Sequence, residues 1–401
     1  MAEEAAQEQR SPDPTRSVRC IVKLGGAAIT NKGELESINE NNLRSACAQL
    51  RQAMSESNSD GAPEKVLGMD WSRKRGDSAD PAVDAEWITG MAGLGLETNF
   101  IVVHGAGSFG HFQASRSGVH KGGLHSTLVK AGFVATRISV TSLNQEIVRA
   151  LARGIQNSLL CPLLCAVGPS IVITRLPVGT SDEKNHGTAY SFAEGIPSVG
   201  MSPFACGWTT KQRKLASSNT SQIIQSLHAG FVPVLHGDAV LDELLDCTIL
   251  SGDVIIRHLA QLLSPKYVVF LVLLPSLLCC GFKSFCHLWK MTDVHGVYDR
   301  PPTEPDAVLL REIEVDEDGR WSIVKPVLLQ GNNNKGVEIS VASHDTTGGM
   351  ETKILEAAVI ARLGIDVYIT KAGTDHSLRA LKGDVSTDTE DWLGTVIRSS
   401  R

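Results

Sequence analysis

The chain has 401 residues, 42 % hydrophobic and 20 % charged, which suits one large α/β domain or two smaller ones and excludes a disordered chain. A formal net charge of -6 argues against a nucleic-acid binder. The nine cysteines are scattered without a repeated C-x-x-C pair, which reads as reduced thiols in a cytoplasmic protein rather than a disulfide framework or a zinc site.

Residues 1–16 carry Glu3, Glu4 and Glu8 and no apolar run, so they read as a disordered tail rather than a signal peptide or organelle presequence. Residues 17–26, S-V-R-C-I-V-K-L-G-G, read as a first strand ending in a glycine turn. Lys23 sits at its end and Lys32 follows past Thr30 and Asn31. Taken alone, this is a solvated loop with surface lysines; beside further glycine turns it reads as a phosphate clamp. Residues 39–54 have helical spacing, with Leu43, Ala46, Cys47 and Leu50 in one stripe. Residues 55–84 are polar and read as a loop, and 85–96 as a short helix.

The central stretch is 99–111, N-F-I-V-V-H-G-A-G-S-F-G-H: a buried strand, then a loop with Gly105, Gly107 and Gly110. Glycines there let an anion approach main-chain N–H groups, and a following helix would add its positive end. His111 closes the loop with a ring suited to holding a phosphate. The same glycines spell G-x-G-x-x-G, but that fingerprint wants an acidic residue about 20 positions on. Residues 120–130 contain none, which disfavours a dinucleotide fold.

Residues 112–123 read as a mobile stretch in which Arg116 and Lys121 either meet a phosphate or are simply solvated. Residues 124–153 read as a long helix with Leu128, Val134, Ile138, Leu143, Ile147 and Leu151 inward. Residues 159–174 give strand-like runs, 198–201 a loop, and 222–227 a helix stopped by Gly230. A strand over 231–235 leads into His236, Gly237 and Asp238. Residues 248–250 lead into Ser251, Gly252 and Asp253 and a helix over 254–263. Ser251 or Asp253 caps that helix, and Asp253 has a rival role as a buried carboxylate bridging lysines. A strand over 266–271 is followed by a departure in composition, 272–291, with Cys279, Cys280 and Cys286. Pro275 interrupts its apolar run, which is too short to span a membrane. Asp293 heads the loop 292–302, and 304–324 reads as an acidic exposed excursion with a hairpin signal at Asp318 and Gly319. Gly348 and Gly349 open a helix to Arg362 with Lys353 on its first turns. Residues 365–370 read as the last strand, 371–381 as a glycine turn and short helix, and 386–401 as a tail.

Strands that repeatedly end in glycine turns bearing Lys, His or Asp describe an open α/β sheet with ligands beyond its carboxyl edge. Phosphoryl transfer needs such an edge, because its chemistry is mostly positioning and charge stabilisation. Walker, protein-kinase, G-x-S-x-G and H-E-x-x-H motifs are all missing.

In order, K-L-G-G, H-G-A-G-S-F-G-H, H-G-D, L-S-G-D, T-D-V-x-G-V-Y-D and D-T-T-G-G-M-x-x-K resemble the amino acid kinase family, and within it the plant-type isopentenyl phosphate kinases. The resemblance covers roughly residues 18–381. It implies an open αβα sandwich with a mainly parallel central sheet, an acceptor lobe at 17–200 and a nucleotide lobe at 201–385, a homodimer, and the use of ATP and Mg²⁺ on isopentenyl phosphate. By motif, Lys23, Gly25, Gly26 and Ala27 hold the ATP phosphates and Lys32 assists at the transferring group. Gly105 and His111 bind the acceptor phosphate, with Gly237 nearby. Ala106 stands where a glycine is more usual, and its small side chain still fits. Asp253 orients Lys23 and Lys353, while Asp293, Gly348 and Lys353 serve the nucleotide; no protein ligand to a metal is assigned. The alternatives are another small phosphate or phosphonate monoester as acceptor, or an impaired ligand-binding fold-mate in which 272–291 displaces Asp293.

Overall fold

The computed structural model describes residues 17–55 except 32, 96–152, 195–272, 295–326 except 301–303 and 305, 349–385 and 391–400, with backbone alone at 349–352. The tail 1–16, Lys32, nearly all of 55–96, the runs in 159–174, the segment 273–291, Asp293 and Gly348 lie outside the described residues.

The described elements run β1 (Cys20–Leu24), α1 (Gly26–Ile29), α2 (Glu40–Met54), β2 (Phe100–His104), α3 (Gly107–Ser117), a 3-10 turn (Val119–Lys121), α4 (Thr127–Ala152), β3 (Ser198–Met201), β4 (Thr209–Lys211), β5 (Lys214–Ser217), α5 (Ser221–His228) and β6 (Val232–His236). There follow β7 (Asp238–Asp242), β8 (Asp246–Leu250), α6 (Gly252–Leu263), β9 (Tyr267–Val272), β10 (Val297–Tyr298), β11 (Leu309–Leu310), β12 (Glu312–Val315), β13 (Trp321–Lys325), α7 (Gly349–Ala361), β14 (Asp366–Lys371), α8 (Asp375–Lys382) and β15 (Thr395–Ser399).

A nine-stranded sheet in the order β13-β12-β15-β14-β9-β1-β2-β6-β3 organises the molecule. From β14 to β3 every pairing is parallel, so these strands share one carboxyl edge. The central strands are apolar on both faces because helices cover both. On one face Ile21, Val103, Val268 and Phe270 pack against Ile255, Ile256 and Leu259 of α6 and Ile354 and Ile360 of α7. On the other, Val22, Phe100, Val102 and Leu271 pack against Leu43 and Leu50 of α2, Leu143, Ile147 and Leu151 of α4, and Leu381 of α8. The result is the expected αβα sandwich. A four-stranded sheet, β5-β4-β7-β8, stands beside it.

Several boundaries differ from the sequence reading, each for a packing reason. The stretch 112–123 is ordered: α3 continues to Ser117, ends at Gly118 in the left-handed region, and gives way to the 3-10 turn. Residues 198–201 are strand β3, because the edge of β6 offers parallel pairing partners to a short segment without a strand pattern of its own. Val272 belongs to β9 rather than to the atypical segment, and pairs with Lys371. The acidic stretch does contain the expected hairpin, with Gly319 at φ +82° between β12 and β13. It is not a detached excursion, since β12 joins the large sheet beside β15 and buries Ile313 and Val315. Nor is β14 the last strand. Residues 395–399 of the supposed tail form β15, an interior strand between β12 and β14.

The inward face of α4 is half as expected. Leu143, Ile147 and Leu151 are buried, but Leu128 and Ile138 are each 63 % exposed and Val134 is exposed too. The buried positions in that half are Val129, Gly132, Thr136, Ser139 and Val140.

Candidate active site

At the carboxyl edge, each turn is hydrogen-bonded to the end of the neighbouring strand. The N–H of Ala372 donates to the Val272 carbonyl at 2.9 Å, Gly25 to Leu271 at 3.0 Å, Gly105 to Leu24 at 3.0 Å, and Gly237 to His104 at 3.1 Å. Backbone bonding thus lines up the turns after β14, β1, β2 and β6, and this register brings residues distant in sequence to one edge.

The turns after β1 and β2 touch. A Cβ on Gly26 would lie 2.4 Å from the Gly107 nitrogen, and one on Gly105 would lie 2.8 Å from the Gly26 nitrogen. Neither position has room for a side chain, so glycine is required here by close approach. Thr30 joins the two turns: its Oγ1 donates to the Gly26 carbonyl at 2.8 Å and accepts from the Ser108 N–H at 3.0 Å. Ala27 lies in the short helix α1, and Ala106 is the residue just before α3. The first turn of α3 therefore opens at the point where the glycine turns meet, an arrangement that suits an anion.

Lys23 points to the opposite face of the sheet from its strand neighbours Val22 and Leu24. Its side chain is 5 % exposed as a residue and its ammonium is paired with the Asp253 carboxylate. Asp253 is placed by the start of α6, where the Ser251 side chain accepts from the Val254 N–H at 3.3 Å as the cap. Between the helix and the strand lies Gly252, whose Cβ would come within 3.3 Å of the His104 carbonyl and 3.7 Å of Lys23 Cε. Burial lowers the pKa of Lys23, Asp253 raises it, and the charge of Lys353 lowers it again, so the two ammonium groups sense each other. On α7, one turn beyond Lys353, Glu356 pairs with Arg257 of α6 at 2.7 Å, and burial raises its pKa from the ordinary value while Arg257 opposes the rise.

The structure therefore brings together Lys23, Asp253 and Lys353, and separately packs Gly25, Gly26, Gly105 and Gly107 into one ridge. Gly237 lies against Gly252, whose nitrogen is 3.3 Å from where a Gly237 Cβ would stand. His111 is exposed on α3, one helical turn past Gly107. Lys32, Asp293 and Gly348 are outside the described residues. The sequence reading passed over Glu356 and Arg257, and also His104, His236 and Asn144, which are buried beneath the turns. The signal for the histidines was available: each ends a strand and immediately precedes a glycine of the edge.

Comparison with known proteins agrees with this geometry. The model of the amino acid kinase family matches residues 185–278 and 282–371, so the match breaks only at 279–281 within the segment that looked atypical. The isopentenyl phosphate kinase of Arabidopsis thaliana is 54 % identical over 394 residues, 98 % of each chain. That of Methanothermobacter thermautotrophicus is 30 % identical over 77 % of this chain and 91 % of its own. Among solved structures, an isopentenyl phosphate kinase superposes with TM-score 0.54 at 24 % identity over 94 % of this chain and 99 % of that one, which supports the fold. The product complex of the T. acidophilum isopentenyl phosphate kinase gives TM-score 0.51 at 20 % identity over 95 % and 100 %. With the sandwich, the glycine ridge and the near-complete match to the plant relative in hand, the chain belongs to the amino acid kinase family, in its isopentenyl phosphate kinase branch.

Proposed function

We propose that the chain transfers the γ-phosphoryl group of ATP to isopentenyl phosphate, giving isopentenyl diphosphate and ADP. A phosphate oxygen of the acceptor forms the new bond to γ-phosphorus. The bond from γ-phosphorus to the bridging oxygen breaks, and its electron pair stays on ADP. The acceptor oxygen is already ionised near neutral pH, so no general base is needed. The protein's task is to hold two anions end to end and to neutralise the charge that gathers between them.

The observation that carries this reading is the buried Lys23–Asp253 pair, with the charge of Lys353 acting on it, beside a ridge of glycine turns too close for side chains. Lys23, Gly25, Gly26, Ala27, Ala106 and Lys353 would face the nucleotide phosphates, with Asp293 and Gly348 serving the nucleotide and Lys32 the transferring group. Gly105, Gly237 and His111 would hold the acceptor phosphate. Asp253 holds Lys23 in place. Mg²⁺, when bound, would supply positive charge against the phosphates. Among the described residues no group of three or more His, Cys, Asp or Glu gathers to hold a metal. Asp253 and Glu356 are each engaged by a cation, so the ion is best read as arriving with the nucleotide.

Incubating the chain with ATP and isopentenyl phosphate and following ³¹P resonances tests the proposal. A new diphosphate pair with stoichiometric ADP is expected, and its absence would overturn the assignment. An impaired fold-mate is disfavoured by 54 % identity over 394 residues, 98 % of the chain. We further propose a homodimer, as the family resemblance implies, and a cytoplasmic location, as the scattered cysteines imply; light scattering and fractionation would check them.

A further inference from the structure

His104 and His236 end adjacent parallel strands, paired in register, fully buried, with ring centres 5.6 Å apart. Strand alternation turns both toward the α4 layer, away from the face that holds Lys23. In each, Nδ1 lies 3.0 Å from the carbonyl oxygen of the glycine that follows, Gly105 or Gly237. A carbonyl can only accept, so the hydrogen resides on Nδ1 in both rings. At His104 this tautomer is enforced from the far side. The Nδ2 of Asn144 is 3.1 Å from Nε2, and an amide nitrogen can only donate, so Nε2 must offer a lone pair. The same amide donates to the Val234 carbonyl at 3.0 Å, which ties the Asn144 rotamer to the neighbouring strand. Burial first, then the neighbouring His236, bring the pKa of His104 down to about 3, and burial lowers that of His236.

Glycine peptides are the ones most free to flip, because no Cβ biases φ and ψ. In a trans peptide the C=O and the next N–H point opposite ways. A glycine carbonyl held onto the ring beneath therefore turns the following N–H, that of Ala106 or Asp238, away from the ring. Without the ring the same turn has a flipped alternative that presents a carbonyl where an anion is to bind.

We infer that His104 and His236 are positioning residues for the acceptor phosphate, each using its Nδ1–H to hold the glycine peptide of the turn above it in a single orientation. The inference rests on the proposed kinase reading, in which Gly105 and Gly237 flank that phosphate. It concerns side chains that touch neither reactant.

The test exploits the geometry of amide substitutes. Asn places an N–H near the Nδ1 position, Gln places one near Nε2, and Leu supplies neither. Kinetics are measured for the full chain and for His104→Asn, His104→Gln and His104→Leu, with the same set at His236. The Gln and Leu variants should raise KM for isopentenyl phosphate by about tenfold, the scale of one oriented hydrogen bond. For the His236 variants the KM for ATP should move less than about twofold, because the turn above His236 holds no residue placed at the nucleotide, whereas the His104 variants also act on the Ala106 N–H beside it. The Asn variants should recover most of the lost affinity. Equal behaviour of Asn and Gln at either position, or equal loss toward ATP and acceptor at His236, would overturn the inference. If the Leu variants do not fold, the Asn–Gln contrast still decides it. Failure of the unmodified chain to use isopentenyl phosphate would instead sink the kinase reading; the binding of inorganic pyrophosphate, followed by calorimetry across the same Asn and Gln variants, would then decide the positioning role alone. There too, equal affinities would overturn it.

Discussion

Lys23 is a cation with almost no contact with water, and Asp253 is what makes that tolerable. Removing one member of such a pair leaves the other buried and uncompensated, at a cost of about 3–5 kcal/mol. Asp253→Asn should therefore both lower stability in urea by an amount of that order and reduce kcat, and a variant that loses activity at unchanged stability would mean the pair is not buried as described. His111 is different in kind. It is exposed, so His111→Ala should leave the urea midpoint in place while cutting kcat/KM for isopentenyl phosphate by about 10²-fold, the scale of one donor lost at a charged transition state. Unchanged acceptor kinetics would remove His111 from the site. His104 makes a prediction about pH. Its ordinary pKa is 6.5 and in the fold it lies at about 3, so between those values the unfolded chain binds a proton that the folded chain does not. Its contribution to stability is complete above pH 6.5 and is lost as the pH falls toward 3, with a limiting slope of about 1.4 kcal/mol per pH unit. Urea midpoints at neutral and acid pH should differ less in His104→Asn than in the unmodified chain; an identical acid loss in both would refute the shift.

At the scale of elements, α4 shows how far a hydrophobic stripe can mislead. Toward its N-terminus the helix packs closely on α3. A Cβ on Gly132 would fall 1.9 Å from the Ser117 Oγ, and one on Gly110 would fall 2.8 Å from Val140 Cγ1. Ser139 donates its hydroxyl hydrogen to the Phe109 carbonyl across the same seam. Close approach demands small residues, and a small-residue seam carries no hydrophobic signal, so Leu128, Val134 and Ile138 attracted the inward assignment instead. The C-terminal half meets the sheet, where large apolar residues fit. Leu143→Ala should therefore cost about 2–5 kcal/mol. Leu128→Ala should stay within about 0.5 kcal/mol. Comparable losses at the two sites, read by chemical denaturation, would contradict this register.

For the whole molecule, β15 matters more than its place in the chain suggests. It bonds to β12 on one side and to β14 on the other, so it joins the acidic hairpin to the sheet that carries the site. Ending the chain before residue 395 should leave two strand edges unpaired and abolish cooperative thermal unfolding; a truncated chain that melts as sharply and as high as the full one would show β15 to be dispensable.

The open α/β sheet and the strands that end in glycine turns were legible from residue order, and the family resemblance implied the pairing of Lys23 with Asp253 that the structure shows. These depend on local features: runs of β-branched residues, turn glycines, and charged groups at strand ends. What residue order left open is whatever depends on a neighbour from elsewhere in the chain. The burial of small residues along the α3–α4 seam, the recruitment of 198–201 and 395–399 as strands, and the tautomer of His104 set by Asn144 all belong to this group. In each case the deciding atom is contributed by another element, so it has no trace in the local sequence pattern and exists only once the sheet has closed around it.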